Sequence, residues 1–321
     1  TLINIGTHWI SQMLKDDRLS GVFAPVVTPF EANLSPNPDL LIAHCRWLLN
    51  QSVGLAVFGT NSEANSLSVA ERIALMEHLI AANIDPSRML PGTGCCSITD
   101  SVELTRRAVE LSCAGVLMLP PFYYKSVSDE GIFASYSEVI QRVGSSNLRV
   151  YVYNIPQVSG IALSVELLER LVNTYPQTIV GIKDSAGDWR FTEEILSRGW
   201  PEFRVFAGTE EVLLKTMQHG GAGCISATAN VNPGPIAGLF RNWRGSDAIT
   251  AQQNLNRIRS TVSAYPMIPA LKAIIAHFSG VHSWRHVRPP LRELSDDSAS
   301  SLMDALSEMN FRMAELDVLE C

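Results

Sequence analysis

Residues 178–183 read Thr-Ile-Val-Gly-Ile-Lys, a short apolar run that ends on a single charged side chain. β-Branched residues with almost no polar alternation are typical of a strand that is covered on both faces, as in a parallel sheet. Comparable runs recur along the chain, and segments with helical periodicity lie between them. The eight runs are Val22 to Thr28, Gly54 to Gly59, Met89 to Gly92, Gly115 to Leu119, Arg149 to Asn154, Thr178 to Lys183, Phe203 to Ala207 and Gly223 to Ser226.

This alternation of strands and helices indicates βαβ units around a parallel sheet. Because eight repeats close into a ring more naturally than into an open sheet, we predict the α/β class and a (β/α)8 TIM barrel. The chain has 321 residues, enough for one barrel with a modest appendage. We expect an N-terminal extension at 1–18, the barrel at 19–243 and a C-terminal helical annex at 244–321, where helical patterns continue without strands.

Two helix starts carry their own signals. Ser68 and Glu71 have the spacing of a capping box, which satisfies the free amides at the beginning of a helix. Asn37 can cap a helix that has Pro38 at its first position.

Composition excludes several classes of partner. The formal net charge is −7 and Lys and Arg are not clustered, so the chain has no electrostatic footprint for nucleic acid. No run approaches the roughly 18 apolar residues of a membrane span, and the first residues do not resemble a signal peptide. We therefore expect a cytoplasmic protein without a membrane partner. The six cysteines form no C-x-x-C pair, and we interpret Cys95-Cys96 as packing residues rather than as a redox or metal site.

Polar residues at the C-terminal ends of barrel strands are candidates for chemistry, because active sites of such barrels lie there. Lys183 ends its run, Tyr153 lies near the end of another, and Thr60 follows the second. A lysine at the mouth of an apolar barrel is poorly solvated as a cation, which favours attack of the neutral amine on a carbonyl. By position alone Lys183 can equally pair with Asp184 or reach solvent, Tyr153 can simply fill the barrel, and Thr60 can be a turn hydroxyl.

Three sequence motifs follow one another along the chain at the spacing expected of barrel strands. The motifs are Gly59-Thr60-Asn61-Ser62-Glu63, Tyr153-Asn154-Ile155-Pro156 and Gly181-Ile182-Lys183-Asp184. Supporting strings are Thr28-Pro29-Phe30, the stretch 67–72, Gly92-Thr93-Gly94 and Arg288-Pro289-Pro290-Leu291. From about Gly21 to Leu291 the sequence resembles the dihydrodipicolinate synthase and N-acetylneuraminate lyase family. Any one motif would be weak, but the ordered set is highly specific. The resemblance implies a cofactor-free lyase in which Lys183 forms an imine with pyruvate or another 2-keto acid.

The same resemblance implies roles for other residues. Tyr153 would relay protons at the imine, and Thr60 would couple it to a second tyrosine, Tyr123, which family members lend to the neighbouring subunit. A homotetramer, a dimer of dimers, is thereby implied. The backbone amides of Thr60 and Asn61 would hold the pyruvate carboxylate. Ile225 would line the pyruvate pocket.

Departures from the family pattern bear on the second substrate. Asn61-Ser62 stands where the family has Thr-Gly, so the carboxylate contacts can be rearranged. Val158 occupies the position at which true dihydrodipicolinate synthases have an arginine for the aldehyde carboxylate, and valine forms no charge-assisted bond. The string Gly208-Thr209-Glu210-Glu211 occupies the region in which sugar-acid lyases of the family bind substrate hydroxyls with acidic residues. Gly208 and Glu210 are therefore candidate substrate contacts. The alternative is a solvated helix start.

Two other motifs carry no function in our interpretation. The stretch from His219 to Gly223 resembles a phosphate loop, but it precedes the last strand and so lies at the opposite end of the barrel, as a tight turn. His282 and His286 have metal-ligand spacing without an accompanying carboxylate motif, so we predict no metal site.

These observations favour a class I lyase acting on a small-molecule 2-keto acid, with a 2-keto-3-deoxy sugar-acid aldolase or dehydratase ahead of dihydrodipicolinate synthase. A non-catalytic keto-acid sensor and a metal-dependent class II aldolase are the alternatives. The retained lysine and tyrosines count against the sensor.

Overall fold

The computed structural model describes residues 19–313, so the predicted extension at 1–18 lies outside the described residues. Within this range, parallel strands form one sheet in the order β2-β1-β7-β6-β5-β4-β3. They are β1 (Gly21–Ala24), β2 (Gly54–Leu55), β3 (Val116–Met118), β4 (Val150–Asn154), β5 (Ile179–Asp184), β6 (Arg204–Ala207) and β7 (Gly223–Ile225).

The third predicted run lies between the two ends of this sheet, β2 and β3. Parallel bridges join Leu55 to Met89 and Gly92 to Leu117, and Leu117 N donates to Pro91 O at 2.9 Å. Pro91 has no N–H to donate to a neighbouring strand, so this segment forms isolated bridges instead of a continuous ladder. The sheet therefore curls into a barrel, as predicted, with seven regular strands and one bridging segment rather than eight regular strands.

Helices lie between the strands in the chain and continue after the last one. They are α1 (Pro38–Asn50), α2 (Val69–Ala81), α3 (Ile98–Glu110), α4 (Asp129–Val143), α5 (Pro156–Ser159), α6 (Val165–Thr174), α7 (Trp189–Ser197), α8 (Leu213–Gln218), α9 (Pro233–Arg241), α10 (Ala248–Ser263), α11 (Met267–Ser279) and α12 (Asp296–Glu308). In the part of the chain that the structure describes, no helix is long and apolar enough to cross a membrane.

Both predicted helix starts are confirmed. Asn37 Oδ1 accepts from Leu40 N at 2.9 Å, and Pro38 is the first residue of α1. Ser68 Oγ accepts from Glu71 N at 3.1 Å, while Glu71 Oε2 accepts from Ser68 N at 2.8 Å. These bonds satisfy amides that have no partner inside the helix.

A separate apolar cluster fills the barrel interior below the site. Its fully or almost fully buried members include Phe23, Leu90, Leu117, Tyr151, Tyr153, Phe206 and Ile225. Gly181 makes room for this packing, because a Cβ there would lie 2.6 Å from Tyr151 Cδ1 and 2.5 Å from Arg204 O. The glycine two residues before Lys183 thus allows β5 to approach the aromatic interior closely.

Up to residue 313, where the described part of the chain ends, three helices, α10 to α12, follow the barrel without further strands. Leu255 and Val262 of α10, and Leu302 and Leu306 of α12, are buried. The middle helix, α11, is buried over most of its length and places Lys272 at full burial beside the barrel.

Candidate active site

Lys183 and Tyr153 are directly paired in the parallel register of β5 and β4. Lys183 Nζ donates to Tyr153 Oη at 3.2 Å and lies 4.2 Å from the centre of the Tyr153 ring. Each residue is only 3% exposed. Both lie next to the last residue of their strands, so the amine and the phenol meet at the C-terminal mouth of the barrel.

Asp184 points away from Lys183, because successive residues of a strand face opposite sides. Its Oδ1 accepts from Asn154 Nδ2 and from Ala186 N, each at 3.0 Å, and its Oδ2 accepts from Thr192 Oγ1 at 2.6 Å. Burial raises the pKa of Asp184 despite these bonds. Neither alternative for the lysine, an ion pair with Asp184 or exposure to solvent, describes this site.

Thr60 begins a single helical turn, Thr60–Ser62, and its Oγ1 lies 3.4 Å from Tyr153 Oη. Ser62 holds the turn, since its Oγ accepts from Gly59 N at 3.2 Å and its O accepts from Thr28 Oγ1 at 2.7 Å. Ser62 is fully buried, whereas Thr60 and Asn61 line the cavity. Within residues 19–313 the amides of Thr60 and Asn61 meet no acceptor, so both donors are available to an anion.

A buried ion pair that the sequence did not reveal supports this turn from behind. Glu63 follows the turn in a left-handed backbone conformation, with φ of 56°, and its carboxylate accepts from Lys272 Nζ. Glu63 Oε2 also accepts from Arg288 N at 2.9 Å, and Lys272 donates to His286 O at 2.7 Å. Burial lowers the pKa of Lys272 to about 8 even beside Glu63. The sequence signal for this ion pair was Lys272 itself, a charged residue inside the otherwise apolar helix α11.

The polar groups open into a cavity of about 720 Å³. It is lined by Lys183, Tyr153 and Thr60, and by residues from the loops after β5 and β6 and from the start of α11. This volume exceeds what one three-carbon keto acid needs and lies within the range of small-molecule sites.

The loop after β6 is placed differently from the prediction. Gly208, Thr209 and Glu211 line the cavity, but the predicted substrate contact Glu210 does not. Glu210 is 1% exposed, and its two carboxylate oxygens accept from the hydroxyls of Ser226 and Thr228. A buried carboxylate needs such partners, so Glu210 is held away from the cavity and Glu211 is the one of these two acids that faces it.

Three other predicted positions are distributed around the site. Val158 lines the cavity on α5 and is exposed. Ile225 is fully buried in the barrel interior and is not a cavity-lining residue. Tyr123 is 74% exposed, packs edge-on against Tyr124 and does not line this cavity.

Arg259 of α10 also lines the cavity, although its sequence context gave no functional signal. It lies in an amphipathic helix of ordinary pattern, where a lone arginine normally faces solvent. Here its side chain is only 15% exposed.

The motifs set aside from the sequence lie elsewhere. His219 follows the last residue of α8, and Gly220 turns the chain with a positive φ of 85°. Gly223, with a φ of 134°, is the first residue of β7. His286 Nδ1 lies 3.0 Å from Phe30 O. In the range 19–313 no group of three or more His, Cys, Asp or Glu side chains is arranged to hold a metal. Cys45 and Cys224 are buried, and Cys95 and Cys96 are unbridged.

A buried lysine beside a tyrosine at the mouth of a (β/α)8 barrel defines a class of lyases, and comparison with known proteins agrees. Residues 18–309 match the Dihydrodipicolinate synthetase family. An uncharacterized DapA-like lyase from Chloroflexus aurantiacus is 31% identical over 288 residues, covering 89% of this chain and 95% of the relative. A probable 2-dehydro-3-deoxy-D-pentonate aldolase, YjhH of Escherichia coli, is 28% identical over 288 residues, covering 88% of this chain and 94% of the relative.

Among solved structures, YagE, a prophage protein of the dihydrodipicolinic acid synthase family from E. coli K12 in complex with pyruvate, aligns with a TM-score of 0.84. Its sequence is 26% identical, and the alignment covers 91% of this chain and 99% of that one. The chain belongs to the dihydrodipicolinate synthetase family and is a lyase.

Proposed function

We propose that this lyase is a class I aldolase that forms a Schiff base between Lys183 and pyruvate or another 2-keto acid. One observation carries the proposal: Lys183 Nζ, Tyr153 Oη and Thr60 Oγ1 form a chain with spacings of 3.2 and 3.4 Å, in which the lysine and the tyrosine are buried. An amine that must lose and regain protons needs such a neighbour within hydrogen-bonding reach.

The neutral amine attacks the C2 carbonyl carbon, and the carbonyl oxygen takes a proton through Tyr153. Loss of that oxygen as water leaves an iminium. When the C4 hydroxyl gives up its proton to Tyr153, the C3–C4 bond breaks, an aldehyde leaves, and the bond electrons enter the iminium to form an enamine. Protonation at C3 and hydrolysis then release pyruvate and free Lys183. The reverse sequence forms the bond, and no cofactor takes part.

The carboxylate of the keto acid is assigned to the amides of Thr60 and Asn61. These donors lie beside Tyr153 and have no acceptor in the described part of the chain. Ile225 supports the pyruvate pocket from below, as part of the apolar cluster that contains Tyr153. Tyr123 is assigned to the site of a neighbouring subunit, because its exposed ring cannot act in its own cavity. That exchange needs a dimer, and the family resemblance extends the proposed assembly to a homotetramer, a dimer of dimers.

We assign the substrate to the 2-keto-3-deoxy sugar acids, for cleavage or for dehydration. Val158 offers no charge for the carboxylate of aspartate semialdehyde, which argues against dihydrodipicolinate synthase. Gly208, Thr209 and Glu211 instead present a backbone, a hydroxyl and a carboxylate along the same wall. The relationship to a probable 2-dehydro-3-deoxy-D-pentonate aldolase supports the same substrate class.

The division into an extension at 1–18, a barrel at 19–243 and a C-terminal helical annex at 244–321 remains part of this proposal. So does the cytoplasmic location expected from the sequence. In this proposal the annex helps to form the substrate cavity, because residues of α10 and α11 line it.

Borohydride reduction in the presence of pyruvate, followed by peptide mass analysis, tests the proposal. We expect one reduced adduct, on the peptide that carries Lys183, and cleavage of 2-keto-3-deoxy sugar acids by the untreated enzyme. Lys183→Met must abolish both, while Lys215→Met, which removes a lysine outside the cavity, must change neither. Failure to trap an adduct would support a keto-acid sensor, and inhibition by a chelator would support a metal-dependent aldolase.

A further inference from the structure

We infer that Arg259 binds a hydroxyl of the aldehyde portion of the substrate, inside the cavity that Lys183 also lines. The inference rests on the proposed function and adds a binding residue from outside the barrel. It also limits the aldehyde portion to a neutral, polyhydroxylated group and excludes an anionic one.

The helix that carries Arg259 is fixed to the substrate wall. Gln252 of α10 donates to Glu210 O at 2.8 Å and accepts from Leu214 N at 2.9 Å. Arg259 follows Gln252 by seven residues, two helical turns, and therefore lies on the same face of α10. The loop after β6 and Arg259 are thus held in one rigid arrangement.

The guanidinium of Arg259 has hydrogen-bonding capacity that the protein leaves unused. Its Nε and Nη1 are closed off from the cavity and lie towards the carboxylates of Glu211 and Glu210 without bonding to them. Its Nη2 is not closed off, and it has no hydrogen-bond partner among residues 19–313. Polar groups are normally satisfied, so a cavity-lining arginine with a free Nη2 is arranged for a ligand oxygen.

Nearby charges decide which kind of oxygen it binds. Arg259 Nη1 lies 3.8 Å from Glu210 Oε2, and Arg259 Nε lies 4.0 Å from Glu211 Oε2. Both distances are too long for hydrogen bonds but short enough for the carboxylates to compensate the positive charge. A carboxylate or phosphate at this place would meet two like charges. A hydroxyl can accept from Arg259 and donate to Glu211, so a diol fits both.

Condensation of pyruvate with each of two aldehydes distinguishes hydroxyl binding by Arg259 from a general effect of Arg259 on activity. Glyceraldehyde carries hydroxyls at the position assigned to Arg259, whereas propanal has the same carbon chain without them. We expect Arg259→Met to lower kcat/KM for glyceraldehyde by about 10- to 100-fold, the range for one charged hydrogen bond. Propanal should be affected by less than about twofold, since it makes no such bond. Arg259→Lys should recover part of the loss.

Arg257→Met is the matched control, because Arg257 lies on the same helix and lines a different depression. It should leave both aldehydes unchanged. Equal losses with glyceraldehyde and propanal would overturn the inference, as would a preference of the native enzyme for a carboxylated aldehyde such as succinic semialdehyde. Trapping of pyruvate on Lys183 is measured separately in native enzyme and Arg259→Met. A normal adduct with no discrimination between aldehydes removes only the role of Arg259, whereas no adduct in the native enzyme removes the proposed function.

Discussion

Tyr153 Oη lies between two partners, 3.2 Å from Lys183 Nζ and 3.4 Å from Thr60 Oγ1. The first distance follows from the register of β4 and β5, and the second from the turn after β2. Elements far apart in the sequence thus converge on one phenol, whose oxygen carries the proton transfers in the proposed mechanism.

Tyr153→Phe should reduce kcat about 100- to 10,000-fold, the range for loss of a positioned acid and base. It should also slow borohydride trapping of pyruvate on Lys183, because imine formation needs the same proton transfer. Tyr175→Phe is the control, since the Tyr175 hydroxyl bonds only to Gln141 on the outer surface among the described contacts. Full activity in Tyr153→Phe would contradict the mechanism.

Lys272→Met should destabilise the protein by about 3–5 kcal/mol, because it leaves the Glu63 carboxylate buried without its cation. Chemical denaturation measures the free energy of unfolding. The double variant Glu63→Gln with Lys272→Met should be more stable than Lys272→Met alone, since no charge then remains buried. If the double variant were the less stable of the two, the pair would not be the source of the effect.

The Glu71–Arg288 ion pair should make stability depend on pH. The Arg288 guanidinium lowers the pKa of Glu71 from 4.5 to about 2. A depressed carboxyl pKa stabilises the folded state above pH 4.5, and this contribution is lost as the pH falls from 4.5 towards 2. At neutral pH, Glu71→Gln should cost about 1 kcal/mol, a value that allows for partial exposure of the pair.

Denaturation of native protein and Glu71→Gln at pH 7 and pH 3 measures this difference. The gap in unfolding free energy should shrink at the lower pH. Glu77→Gln is a suitable control, because its ion pair with Arg107 is more exposed than that of Glu71. A gap that stayed constant between the two pH values would rule out this assignment.

Val158→Arg should raise kcat/KM for aspartate semialdehyde by about 10- to 100-fold, through a charge-assisted bond to its carboxylate. The side chain already lines the cavity, so the change needs no movement of the backbone. Val158→Met adds bulk without charge and should give no increase. High synthase activity in the native protein would instead show that the family arginine is dispensable here.

The barrel could be predicted because its signal is local. Short apolar runs and amphipathic segments report their own burial, and the caps at Asn37 and Ser68 depend on neighbours three residues away. The lengths of the strands were less predictable. The third run contains Pro91, and its pairing depends on which backbone groups reach it from β2 and β3.

The site was predicted in part. Strand ends gave the candidates Lys183, Tyr153 and Thr60, which the structure brings together, and the family resemblance added Asn61. Glu210 was the predicted contact, yet Glu211 lines the cavity, because two adjacent acids in a loop do not show which one turns towards Ser226 and Thr228.

By itself the sequence determined the order of strands and helices, the lysine at the end of β5 and the absence of an arginine at Val158. Only the tertiary structure decided which polar groups meet. Lys272 and Glu63 are 209 positions apart, and Arg259 reaches the cavity from a helix outside the barrel. Such contacts depend on how helices pack against the barrel. The periodicity of apolar residues shows which face of a helix is buried, but it does not show which element that face packs against.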